Sequence, residues 1–85
     1  MQIFMQTIPE QGKVPRFYHL FLQPDLLGGW SLVREWGYQG SSGKIRKDYY
    51  AQREEAERQL ASLRDTQINR GFRVVFAQGE TRPEE

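Results

Sequence analysis

Eighty-five residues with a net charge of +1 suit a single domain, and a chain this short buries too little surface to be very stable without staples. There is no cysteine, which excludes disulfides and thiolate metal sites and makes a reducing cytoplasm the expected address. A single histidine, His19, argues against a His-based metal site or a His-dependent triad. The start of the chain lacks a basic region followed by a long apolar core, so it does not read as a signal peptide, and no apolar run is long enough to span a bilayer. Charge is unevenly spread. Residues 13–73 hold eleven Lys or Arg against seven Asp or Glu, a balance of +4, while Glu10, Glu80, Glu84 and Glu85 make the flanks acidic. That distribution permits phosphate contacts.

Residues 1–15 read as an N-terminal segment. A short strand is expected over 1–8, and Pro9, Gly12 and Pro15 mark 9–15 as a linker. Residues 16–76 read as the folded domain. Arg16 to Gln23 is rich in aromatic residues and predicts a strand. Pro24-Asp25-Leu26-Leu27-Gly28-Gly29 predicts a turn, and residues 30–37 a second strand. The glycine-rich stretch Tyr38 to Gly43 predicts another turn, and Lys44 to Tyr50 a third strand of an antiparallel meander. The period then changes. Ala56, Leu60 and Leu63 fall at helical spacing, so a helix is expected over about 52–69, supported by an i,i+4 pair from Glu54 to Arg58. Its start has no good capping acceptor in Ala51 or Gln52. Arg70 suits its negative end and Gly71 its left-handed stop. Phe72 to Phe76 predicts a final strand, and residues 77–85 a disordered tail.

Alternation along strands converts a register into faces. If residues 37 and 43 bracket the second turn, Trp36 lies opposite Lys44, Arg34 opposite Arg46, Leu32 opposite Asp48 and Trp30 opposite Tyr50. If the first turn is symmetrical about 26–27, Phe17, His19 and Phe21 join that face. The other face then carries Tyr18, Leu20, Leu22, Val33, Ile45 and Tyr49, with Ser31, Glu35 and Lys47, and is expected to receive the helix. The Trp36 face places an aromatic among Arg34, Lys44 and Arg46, a surface suited to sugar, base and phosphate.

Each feature has a plainer reading beside the functional one. Trp36 reads as a ligand contact or as a sheet aromatic, and Trp30 as core. Gly37, Gly40 and Gly43 could cradle a phosphate through backbone N–H groups, but hairpin geometry is the favoured explanation. Lys44, Arg46 and Lys47 form either a phosphate-binding strand or a charged edge that discourages aggregation. Glu54, Glu55 and Glu57 suit the helix start. No nucleophile, base and oxyanion hole come together, so neither an enzyme nor a cofactor is expected.

The ordered set Pro24-Asp25-Leu26, Gly28-Gly29-Trp30-Ser31-Leu32-Val33-Arg34-Glu35-Trp36-Gly37, Gly40, Gly43, a helix, then Arg70-Gly71-Phe72 resembles the WGR domain family, in its small, nearly stand-alone bacterial form. The resemblance covers about residues 17–73. It implies an α+β fold: an antiparallel sheet, meander plus C-terminal strand, with one main helix on one face. The domain also occurs in DNA-damage-responsive poly(ADP-ribose) polymerases, where it binds near DNA ends, and in bacterial proteins described as molybdate-metabolism regulators. It has no catalytic activity of its own. By position, the resemblance makes Trp36 the sugar-contacting aromatic and gives Gly37 the close approach. Tyr38 stands where the family usually has arginine, and Gln67 where it tends to have a lysine. The expected nucleic-acid surface is therefore Trp36, Gly37, Tyr38, Arg34, Lys44, Arg46 and Arg70, with DNA as the expected partner. The alternative is a protein partner or a weak homodimer.

Overall fold

The computed structural model describes residues 1–79. Five strands and one helix follow in chain order: β1 Gln2–Thr7, β2 Arg16–Pro24, β3 Trp30–Tyr38, β4 Lys44–Tyr50, α1 Arg53–Asn69 and β5 Phe72–Gln78. The strands form one antiparallel sheet in the order β4-β3-β2-β1-β5. The fold is the expected α+β arrangement, with the helix on one face. β1 is no appendage. It pairs with β2 on one side and β5 on the other, so the sheet begins at Gln2 rather than at Arg16. β5 continues through Ala77 and Gln78, into the stretch read as a tail. Residues 80–85, the rest of that stretch, lie outside the described residues.

The β3–β4 register is the one expected, with Trp36 opposite Lys44, Arg34 opposite Arg46, Leu32 opposite Asp48 and Trp30 opposite Tyr50. The β2–β3 register is displaced by one residue. Phe17 pairs with Gly37 and Pro24 with Trp30, so the turn is centred on Leu27 alone. Five residues, Asp25 to Gly29, close it. Asp25 N–H donates to the Gly29 carbonyl at 3.0 Å, Gly28 N–H to the Asp25 carbonyl at 3.1 Å, and Leu27 N–H to the Asp25 carboxylate at 2.9 Å. An odd loop reverses the parity of β2 against β3 and exchanges its two faces.

The correction moves the core. Tyr18, Leu20 and Leu22 share a face with Trp30, Leu32 and Trp36, and α1 packs there. Ile3, Met5, Phe72, Ala56 and Leu60 complete the buried cluster, with Leu63 against its margin. Val33, Ile45, Tyr49, Ser31, Glu35 and Lys47, expected under the helix, stand on the opposite face with Phe17, His19 and Phe21. No helix or strand among the described residues packs over that opposite face, although Val33 and Ser31 are buried within it, Ser31 donating to the Asp25 carboxylate at 3.2 Å. Its aromatic rings associate with one another: Phe4 stacks on Phe17 at 6.2 Å and meets His19 edge-on at 5.8 Å, and His19 lies 5.0 Å from Phe21. Burial there lowers the His19 pKa, against a smaller upward pull from Glu35. His19 Nε2 is hydrogen-bonded to Gln2 Oε1 at 2.9 Å.

The helix begins at Arg53, its N-cap residue Gln52 gives no side-chain cap, and Glu54 and Glu55 lie in its first turn. Its ion pair at helical spacing is Arg53–Glu57, at 2.6 Å, in place of the expected Glu54–Arg58. The Arg53 guanidinium also lies 4.8 Å from the Trp30 ring centre and ties the helix start to β3. Gly71 ends the helix with φ +103, the left-handed stop that its position predicts.

Gly29 sets the loop that fixes the register. Its φ is +79, and a Cβ there would lie 2.8 Å from the Tyr50 carbonyl oxygen and overlap the Tyr49 hydroxyl, which donates to the Gly28 carbonyl at 3.0 Å. Gly28 has φ +96 but nothing near its missing Cβ. Gly28→Ala is therefore expected to cost about 1–2 kcal/mol for the left-handed backbone alone. Gly29→Ala adds a backbone clash and is expected to cost at least ~1 kcal/mol more. Urea denaturation of both variants measures the difference, and equal midpoints would remove the clash argument.

Candidate functional site

Antiparallel pairing brings four segments to one end of the sheet. There β1 and β3 finish, β2 begins, and α1 delivers Arg70 and Gly71. Two adjoining depressions open at this end. A groove of about 800 Å³ is lined by the loop from Thr7 to Arg16, by Tyr38 to Ser41, and by Arg70 and Gly71. A smaller cleft of about 310 Å³ is lined by Arg16, Trp36, Gly37, Tyr38, Ser41, Ser42, Gly43 and Lys44. Arg16, Tyr38 and Ser41 form the ridge that both share.

Trp36 is half-buried. Its ring stacks on Tyr18 at 5.8 Å with planes 16° apart, which fixes its orientation, and it also forms part of the cleft wall. It is thus a sheet aromatic and an available surface at once. Tyr38 is 58% exposed, so its ring and hydroxyl are free for a partner. Arg16 stands opposite Tyr38 in the β2–β3 ladder, and its guanidinium lies 5.4 Å from the Phe72 ring centre. Lys44 is opposite Trp36 and exposed. Arg70 caps the helix just past Asn69, at the negative end of the helix dipole, and its charge offsets that end. Lys13 lies on the groove wall and is paired with Glu10 at 3.2 Å. Among the described residues around the two depressions, four cations, Lys13, Arg16, Lys44 and Arg70, face a single carboxylate, Glu10.

The set read from the sequence divides. Trp36, Gly37, Tyr38, Lys44 and Arg70 come together at this end. Arg34 and Arg46 do not, because Asp48 binds both, with Arg34 Nη2 at 3.2 Å and Arg46 Nε at 3.3 Å. Arg34 is half-buried on the helix side. Its burial opposes the charge, but the Tyr18 hydroxyl and Asp48 carboxylate outweigh that and raise its pKa. Its Nε is buried without a hydrogen-bond partner among the described residues. These features describe a structural ion pair under the helix. Gln67, at the family's lysine position, is also buried, so that position does not belong to the exposed surface.

The glycines serve the hairpin. A Cβ on Gly43 would meet the Trp36 carbonyl oxygen at 2.6 Å and the Phe17 ring at 3.0 Å, and one on Gly37 would come within 3.1 Å of the Gly43 Cα. Close chain approach explains both. Two loop N–H groups are already used, Gln39 donating to Pro15 at 2.8 Å and Ser41 to Tyr38 at 3.1 Å, which removes donors from a phosphate cradle.

Arg16 and Lys13 are the residues that sequence reasoning did not select. The signal for Arg16 was the register: with the turn centred on Leu27, it falls opposite Tyr38. Lys13 lies in a loop whose path no periodicity reveals. Among the described residues no group of three or more His, Asp or Glu could hold a metal ion, and no helix is long and apolar enough to cross a membrane.

Comparison with known protein families matches the WGR domain over residues 1–78. Among curated proteins, the chain is similar to "Uncharacterized protein y4dW" of Sinorhizobium fredii (strain NBRC 101917 / NGR234), at 26% identity over 72 residues. The match covers 85% of this chain and 35% of that protein, so the chain spans about a third of its relative's length. No solved structure matches. With the family match running through all five strands and the helix, the chain belongs to the WGR domain family.

Proposed function

We propose that this WGR domain is a non-catalytic module that binds nucleic acid, and DNA in particular, through backbone and sugar contacts. One observation carries the reading: a half-exposed tryptophan, stacked on Tyr18, stands at the end of the sheet where, among the described residues, four cations line two clefts against one carboxylate. Cations supply sequence-independent attraction for phosphate, and the indole offers an apolar plate for a sugar or base. Tyr38 cannot give a forked, charged contact. Arg16, directly across the ladder, offers that chemistry one strand away. A chain without cysteine is at home in a reducing compartment, and we assign the module to the cytoplasm.

Titration of labelled nicked, blunt-ended and single-stranded DNA at two salt concentrations tests the proposal. Binding is expected to weaken as salt rises. Trp36→Ala is expected to lower affinity by about tenfold, within the range of single aromatic–base contacts. Arg46→Ala, whose side chain is engaged by Asp48 away from the clefts, is expected to change affinity less than about twofold. Absence of binding at low salt, or equal losses for the two variants, would refute it. The second reading, a protein-interaction module, is favoured by the uncovered aromatic face of the sheet and does not involve the cationic end.

A further inference from the structure

We propose that the uncovered face of the sheet docks a second copy of this chain, two sheets packing face to face with their helices outward. Across all five strands the register sets one row on this face: Phe76, Phe4, His19, Glu35 and Ile45. The row is apolar or aromatic at four of its five places, and it runs through β2, the central strand. Phe76 and Ile45, at its two ends, are 49% and 63% exposed, although the chain has a well-formed core on the other side of the same sheet. A two-fold axis along β2 would set Phe76 of one copy against Ile45 of the other at both ends of the stripe, with His19 against His19 at its centre and Glu35 against Phe4.

Area and charge identify the occupant. Five strands about 4.8 Å apart and six to nine residues long present a face of roughly 500 Å². Two such faces bury about 1,000 Å² together, the lower end for a specific and reversible protein interface. The charges on this face, Glu35 against Lys47 and Arg73, leave +1 per copy, so self-repulsion there is small. The cationic end, by contrast, would repel its own copy. The sheet edges are poorer docking sites. β4 carries Lys44, Arg46 and Lys47 along its edge, and β5 is interrupted by a bulge opposite Phe4 and Met5. Aligned sheets pack about 10 Å apart, a spacing that these rings can fill.

The test is sedimentation of the whole chain across a wide concentration series. The species is expected to pass from one chain to two. Phe76→Lys and Ile45→Lys, both at exposed positions, are each expected to weaken association by at least about tenfold. Gln59→Lys on the outer helix surface and Lys44→Gln at the cationic end are expected to leave it unchanged. Isotope-filtered NMR on a mixture of labelled and unlabelled wild-type chains supplies a measurement that needs no variant, with intermolecular contacts expected from Phe4 and Phe21. A chain that stays monomeric at its highest soluble concentration overturns the proposal. So does a dimer indifferent to both substitutions, or one whose intermolecular contacts run along the β5 backbone. Because Lys44→Gln separates the two surfaces, loss of DNA binding and loss of association are read independently.

Discussion

Replacing Arg16, Lys44 and Arg70 together by glutamine is expected to flatten the salt dependence of DNA binding. Each phosphate neutralised contributes about −0.9 to the slope of log K against log salt for duplex DNA, so three lost contacts reduce its magnitude by about 2.7. If wild type and variant converge near 1 M salt, the difference at 0.1 M is about 500-fold. The three residues come from β2, β4 and the helix end, and among the described residues none is held in an ion pair. Lys13 is a weaker candidate because Glu10 already partners it. Fluorescence anisotropy over a salt series measures the slope. A triple variant with the wild-type slope would place the phosphate contacts elsewhere.

Leu32→Ala and Ile45→Ala are expected to differ sharply in stability. Leu32 has no exposed surface and lies in the middle of β3 beneath the helix. Truncating a buried leucine costs about 2–5 kcal/mol. A chain of 85 residues has roughly 4–13 kcal/mol in all, so the variant is expected to be largely unfolded on warming. Ile45 is 63% exposed on the uncovered face, and its truncation in the monomer is expected to cost less than about 0.5 kcal/mol. Urea unfolding at low protein concentration, with unchanged m values, gives both numbers. The faces inferred from a turn symmetrical about 26–27 demand the opposite order, with Ile45 under the helix and Leu32 outside the helix contact. Equal costs, or a greater cost at Ile45, would therefore reject the observed assignment.

The candidate site was partly legible for a definable reason. Trp36, Gly37, Tyr38 and Lys44 are joined by one hairpin, and the glycines at 37 and 43 mark where its chains must approach closely. Local chemistry was sufficient for them. Arg34 and Arg46 carry the same charge as Lys44 and lie on the same two strands, yet Asp48 holds both. A list of cations contains no information about which of them a carboxylate will reach, because that depends on rotamers and burial.

By itself, the sequence determined the elements, the helix stop at Gly71, the β3–β4 register and the family, since each rests on periodicity, turn chemistry or ordered local signatures. Tertiary structure alone decided three things. It placed β1 between β2 and β5, a pairing of distant segments. It set the parity of β2 through hydrogen bonds inside the Asp25–Gly29 loop, which put Leu20 with Leu32 under the helix and left Phe17, His19 and Phe21 uncovered. It joined Arg16 and Arg70 to Trp36 across three elements. The physical reasons are two: a side-chain alternation of period two makes every face depend on a single residue of loop length, and contacts between chain-distant segments leave no local signature in the sequence.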